Sequence, residues 1–167
     1  MSQQGRNSRV FWGAALSIVT LDVVTKYFAE RHLVPHLPKQ VIGDVVRWTL
    51  AYNPGAAFSM SLGSASRWIF GAFATLALVV LWRIYLSCKP EERLKVLALG
   101  LAWGGAAGNL IDRIRSSAGV VDFIDIGFHS VRYWTFNVAD SGVSVGAVLL
   151  GFILLREDRQ QKPASGD

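Results

Sequence analysis

The stretch VVDFIDIGFHSVRYWTFNVADS, Val120 to Ser141, holds two carboxylates that read as more than surface charge: Asp122 in Val-Val-Asp-Phe and Asp140 in Phe-Asn-Val-Ala-Asp-Ser. Asp140 opens a long apolar run, which places it at or just inside a membrane boundary. An ionisable group at that depth is costly and is a functional residue by default. Two of them bracketing one segment suggest a pair, and the remainder of the chain has to show whether it can bring them together.

Composition points to a membrane. Of 167 residues, 51% are hydrophobic and 17% charged, against about a quarter charged in an ordinary soluble domain. The mean hydropathy is +0.33. The charges are clumped, leaving long uncharged stretches, the profile of one small helical membrane domain. A net charge of +5 is compatible with nucleic acid, but the basic residues flank apolar runs, which fits membrane topology and argues against nucleic-acid binding. Cys88 is the only cysteine, so no intramolecular disulfide or thiolate cluster can form.

Four spanning helices are expected over residues 10–28, 68–85, 95–112 and 138–156. The first resembles a signal peptide but continues through Asp22-Val-Val-Thr-Lys26 with no small-residue cleavage site, so it reads as an uncleaved helix. Arg83, Lys89, Arg93 and Lys95 crowd the connection around 86–94, and Arg156, Arg159 and Lys162 crowd the tail. This basic density predicts both termini in the cytoplasm, with the loops 29–67 and 113–137 on the outer side. In the first outer loop, Val41-Ile42 and Val45 to Tyr52, broken by Gly43-Asp44, predict a small hairpin or sheet ended by Asn53-Pro54-Gly55. In the second, Arg132 to Phe136 predicts another strand. The expected fold is therefore an all-α four-helix membrane bundle carrying a small extracytoplasmic β-sheet or cradle. Gly100, Gly104 and Gly108, with Gly142 and Gly146, have the small-residue spacing that lets helices approach closely in lipid.

Polar residues gather where lipid would penalise them: Asp22, Lys26, Asn53, Asn109, Asp112, Arg113, Asp122, Asn137 and Asp140. Asp22 and Lys26 lie one turn apart and can neutralise one another as a structural pair. Arg113 beside Asp112 reads as a snorkelling arginine with a carboxylate partner. Asn137 and Asp140 have the spacing of an N-cap and its N3 partner, which would explain Asp140 without any chemistry. It does not explain Asp122. The chemical alternative is a dyad sharing one proton, because two close carboxylates do not both ionise readily. The charged member takes a proton from a water that attacks an amide carbonyl; the protonated member polarises the carbonyl and later feeds the leaving amine. A place in the first helical turn favours ionised Asp140, making it the base and Asp122 the initial acid. No Gly-x-Ser-x-Gly or His-Glu-x-x-His occurs, the three histidines are scattered, and nothing in the spacing calls for a metal or cofactor.

Five motifs in order carry a resemblance: Asp22-x-x-Thr-Lys26, Asn53-Pro-Gly-Ala-Ala-Phe58, Gly104-Gly-Ala-Ala-Gly-Asn-Leu-Ile-Asp-Arg113, Val120-Val-Asp-Phe123 and Phe136-Asn-Val-Ala-Asp-Ser141. Together they resemble the bacterial lipoprotein signal peptidases, or signal peptidase II, across almost the whole chain. The resemblance implies an aspartyl endopeptidase of the inner membrane, its site open to the periplasm. Such enzymes remove the signal peptide of a prolipoprotein just before a diacylglyceryl-modified cysteine. It implies catalysis by Asp122 and Asp140, with Asn53, Gly55, Ala56, Asn109, Arg113 and Asn137 lining the site, and Asp22 and Lys26 supporting it. It also implies inhibition by globomycin-type cyclic peptides. Membrane lipids and the prolipoprotein are the expected partners, and a monomer the expected state. The rivals are a small transporter or proton-relay subunit, which would spread its ionisable groups along a path; a structural scaffold, which would not need Asp122 near Asp140; and another intramembrane aspartyl protease class.

Overall fold

The structure, a computed structural model, describes residues 3–55 and 65–161. Ala56, with Ala57 and Phe58, and Lys162 of the tail lie outside the described residues. In chain order the elements are α1 (Gln3–His32), β1 (Lys39–Ile42), β2 (Val46–Asn53), α2 (Ser66–Leu86), α3 (Arg93–Arg115), β3 (Val120–Phe128), β4 (Val131–Arg132) and α4 (Val138–Gln161). All four helices are long and apolar enough to cross a membrane.

The distribution of apolar residues identifies the solvent these helices are built for. The most apolar windows, in α2 and α4 with a mean hydropathy of 2.0, are only 6% and 17% buried in the protein. The α3 window, with a mean hydropathy of 1.4, is 50% buried. In water the most apolar helices would hide; here α2 and α4 face outward, as α1 largely does, and the less apolar α3 is the enclosed one, the arrangement suited to lipid.

Glycine makes the enclosure of α3 possible. A Cβ at Gly104 would lie 2.6 Å from the carbonyl oxygen of Ala15 in α1, and one at Gly105 would lie 2.2 Å from that of Ala139 in α4. The backbones therefore meet with no side chain between them. Far from the sheet, Phe11 stacks on Tyr85 at 4.2 Å between centroids, and Trp12, Trp82 and Trp103 complete an aromatic plug.

The strands form one antiparallel sheet in the order β1-β2-β3-β4. The β1–β2 hairpin turns at Gly43, whose φ is +50°. The long strand β3 differs from the sequence reading, which treated its residues only as the setting of Asp122. Val120, Val121, Asp122 and Phe123 are all buried, so both faces of β3 are covered and no period-two alternation marks it. The strand expected over Arg132 to Phe136 is shorter, with only Val131–Arg132 as β4. Past it, Tyr133 still donates to the Ile126 carbonyl, and Phe136 exchanges backbone hydrogen bonds with Ile124. The chain thus runs back along β3 and delivers Asn137 beside Asp122.

Candidate active site

Helix α4 begins in the polar cluster, and its first turn is capped from three directions. The Asn137 Oδ1 accepts the Asp140 backbone N–H at 2.8 Å, and Asp140 Oδ2 accepts the Asn137 N–H at 3.2 Å. This is a reciprocal capping box with Asp in the N3 position. Asp22 of α1 reaches across to accept the Ala139 N–H at 2.9 Å. The capping role expected for Asp140 therefore holds, and it coexists with the pair: the same cap brings Asp140 to Asp122.

Asn137 joins the two. Fully buried, it donates from Nδ2 to Asp122 Oδ1 at 2.7 Å while its own N–H holds Asp140. Asn109 of α3 donates from Nδ2 to Asp140 Oδ1 at 2.7 Å, and its Oδ1 accepts from Asn137. Asn53, at the end of β2, hydrogen-bonds Asp122 through its side chain. The register explains its reach: Ala51 lies opposite Asp122, so Asn53 falls on the same face one pleat further on. Burial, and next the nearby charge of Asp140, push the Asp122 carboxyl up to about 7, although the Asn137 and Asn53 hydrogen bonds pull the other way.

Beneath the pair lies a second buried cluster. Lys26 Nζ is 2.7 Å from Asp22 and 2.8 Å from Asp112, and it donates to Asn109 Oδ1 at 3.1 Å. Asp112 thus differs from the expected partner of Arg113. It pairs with Lys26 and with Arg115 at 3.0 Å, and its Oδ2 accepts the Val121 N–H. Three residues from each on α3, Asp112 shares a face with Arg115 and with Asn109, whereas neighbouring positions diverge. Arg113 instead donates to the Asn109 carbonyl and lies over the Phe70 ring of α2, 5.9 Å from its centroid.

Gly55 closes the site toward α2. Its N–H donates to Asn53 Oδ1 at 2.9 Å, its φ is +100°, and an added Cβ would fall 2.3 Å from Phe70 Cδ2. Gly55→Ala is expected to lower stability by about 1–2 kcal/mol, from backbone strain and displacement of Phe70, read as an earlier thermal melt in detergent.

Asp125, a third carboxylate in the opening stretch, was not weighed in the sequence reading. It accepts from Arg132 at 2.6 Å and from Thr49, and so braces the sheet. The matching cation seven residues on was the available signal. Along the α1 side of the sheet, Phe28, Ala29, Leu33, Trp48 and Phe123 line an apolar groove of about 400 Å³. Among the described residues no group of His, Cys, Asp and Glu could hold a metal ion.

The chain has known relatives. A family model described as signal peptidase (SPase) II matches residues 14–156. A lipoprotein signal peptidase of Mycolicibacterium smegmatis is 43% identical over 150 residues, covering 89% of this chain and 62% of that protein. One from Pseudomonas putida is 38% identical over 165 residues, covering 95% of each. The solved structure of a bacterial membrane enzyme, determined by the in meso method, superposes with a TM-score of 0.81 at 27% identity and covers 98% of this chain and 95% of its own. With four apolar helices on a membrane-enzyme fold, and with these matches along its length, the chain is a multi-pass membrane protein that belongs to the signal peptidase II family.

Proposed function

We propose that this protein is an aspartic endopeptidase that removes the signal peptide from diacylglyceryl-modified prolipoproteins, with Asp122 and Asp140 as its dyad. The observation that carries the reading is Asn137, which holds one carboxylate through its side chain and the other through its backbone. In the reaction, ionised Asp140 takes a proton from water as the water oxygen bonds to the scissile carbonyl carbon. Asp122 gives its proton to the carbonyl oxygen, producing a neutral gem-diol. The proton that Asp140 took from water, rather than the one Asp122 first held as the sequence reading has it, then passes to the peptide nitrogen as the C–N bond breaks. Asp122 recovers a proton from one hydroxyl as the new carboxyl forms, so the dyad ends as it began.

The setting suits a lipidated substrate. Acyl chains hold the modified cysteine at the interface with about 0.8 kcal/mol per buried methylene. A dyad at the mouth of the bundle meets the scissile bond at that level. We place this mouth and the sheet on the periplasmic face of the inner membrane, because Arg83, Lys89, Arg93 and Arg156 mark the other end as cytoplasmic. Exposed Phe128, Tyr133 and Trp134 then form an interfacial belt around the sheet. A globomycin-type cyclic peptide is the inhibitor class this reading implies for the dyad, and a monomer is the state it implies.

The test is a cleavage assay in lipid at a series of pH values, with a prolipoprotein bearing the diacylglyceryl group and its unmodified form. The modified substrate is expected to be cut before the cysteine and the unmodified one left intact. The rate should fall as pH rises through about 7, because the raised carboxyl of Asp122 then loses the proton it donates. Equal cleavage of both substrates, or a rate level to pH 9, would overturn the reading.

A further inference from the structure

The buried ammonium of Lys26 lies one residue away from the dyad and has no step in the reaction above. Its side chain is 1% exposed, and its three hydrogens face three acceptors: Asp22, Asp112 and Asn109 Oδ1. An ammonium can only donate. The atom of Asn109 facing it must therefore be the oxygen, whose second lone pair is taken by Asn137 Nδ2 at 3.1 Å. With the oxygen so committed, the Asn109 NH₂ has to point the other way, and it donates to Asp140 Oδ1. Both Asp140 oxygens consequently meet N–H donors, since the Asn137 backbone holds the second. A carboxylate accepting two such bonds is favoured over a carboxylic acid. Lys26 Nζ and Asn137 Nδ2 together hold Asn109 against turning over, which would set its oxygen against Asp140 Oδ1.

We infer that Lys26 is a positioning residue that sets the direction of the hydrogen-bond chain Lys26–Asn109–Asp140, and thereby assigns the role of base to Asp140 rather than Asp122. The inference rests on the dyad reading. The charged groups around Lys26 and Asp140 are Asp22 from α1, Asp112, Arg113 and Arg115 from α3, Asp122 from β3 and Asp140 itself from α4, with Glu30 of α1 on Arg115. Lys26 with Asp22, and Arg115 with Asp112, balance within this set. Lys26 is thus removable together with Asp22 without leaving an uncompensated charge, and an Asn at position 22 keeps an oxygen for the Ala139 N–H.

The experiment compares wild type, Lys26→Met/Asp22→Asn, Lys26→Gln/Asp22→Asn and Asp140→Asn, each assayed with the lipidated substrate after a folding check. The Met pair is expected to lose about 10- to 100-fold in kcat, with KM within about twofold. The Gln pair, whose carboxamide can still offer an N–H to Asn109, should fall between it and wild type. Adding Asn109→Ala to the Met pair should cost less than about threefold more, because the chain is already broken. An unchanged kcat, a change confined to KM, or a full additional loss from Asn109→Ala would overturn the proposal. Failure of both pairs to fold would overturn it too, since Lys26 would then be a structural residue. If Asp140→Asn keeps its activity, the dyad itself is wrong; if Asp140→Asn is inactive and the Lys26 variants are unaltered, only the role of Lys26 falls.

Discussion

Asp140→Asn and Asp122→Asn are each expected to lower kcat on a lipidated prolipoprotein by about a thousandfold or more, the upper part of the range for losing a positioned acid or base. An Asn at position 140 cannot take a proton from water, and one at position 122 has none to give to the carbonyl oxygen. The two inactive proteins should differ in stability, which separates lost chemistry from lost fold. At position 140 the carboxylate accepts from both Asn109 and the Asn137 N–H, and it sits in the first turn of α4. An amide offers only one oxygen there, so the variant should lose about 1 kcal/mol through the cap and the helix dipole. At position 122 the sign reverses. The folded carboxyl keeps its proton to about 7, whereas the unfolded chain releases it near the ordinary 3.8. Folding therefore takes up a proton between those values, and this residue makes stability fall as pH rises through that window. Asp122→Asn has no such proton. It should match wild type below pH 4 and melt at a higher temperature at pH 8, measured by thermal unfolding in detergent. Near-wild-type cleavage by either variant would reduce that residue to a cap or a structural charge.

Gly105→Ala is expected to have the largest structural effect of any single methyl group in the bundle. The new Cβ would sit 2.2 Å from the Ala139 carbonyl oxygen and 2.9 Å from the Val143 backbone nitrogen. Both are backbone atoms of α4, so no rotamer change relieves the contact and the whole helix has to move. Overpacking of this kind costs about 1–3 kcal/mol, and more where nothing can yield. The displaced segment also carries Asp140, one residue past Ala139. Cleavage should fall by at least about tenfold even in the fraction that folds, because small displacements of catalytic groups carry large rate costs. The control is Gly13→Ala, where an added Cβ meets nothing within 4 Å. That variant should keep wild-type stability and activity, and a Gly105→Ala protein that behaves the same would show that α3 and α4 are not packed as described.

Much of the architecture was legible in one dimension. Lipid demands long uncharged runs, so the four helices announce themselves, and their glycine spacing predicts close approach. The cap of α4 was legible too, because Asn137 and Asp140 interact over three residues and helix geometry relates them without reference to anything else. Asp122 and Asp140 are also conspicuous in sequence, as carboxylates among apolar neighbours.

Pairings between distant segments were decided only by the tertiary structure. Asp112 adjoins Arg113 in sequence yet pairs with Lys26, 86 positions away, because α3 presents Asp112 toward α1 and turns Arg113 toward α2. Strand β3 carries no alternation because both of its faces are covered, a fact about its neighbours and not about its residues. The capping and catalytic readings of Asp140 are rivals in sequence and become compatible once Phe136 pairs with Ile124 and carries Asn137 to Asp122. Hydrophobicity and local capping act over a few residues and so are written along the chain. The direction of a buried hydrogen bond depends on which donor the fold brings opposite which acceptor, and that is settled in three dimensions.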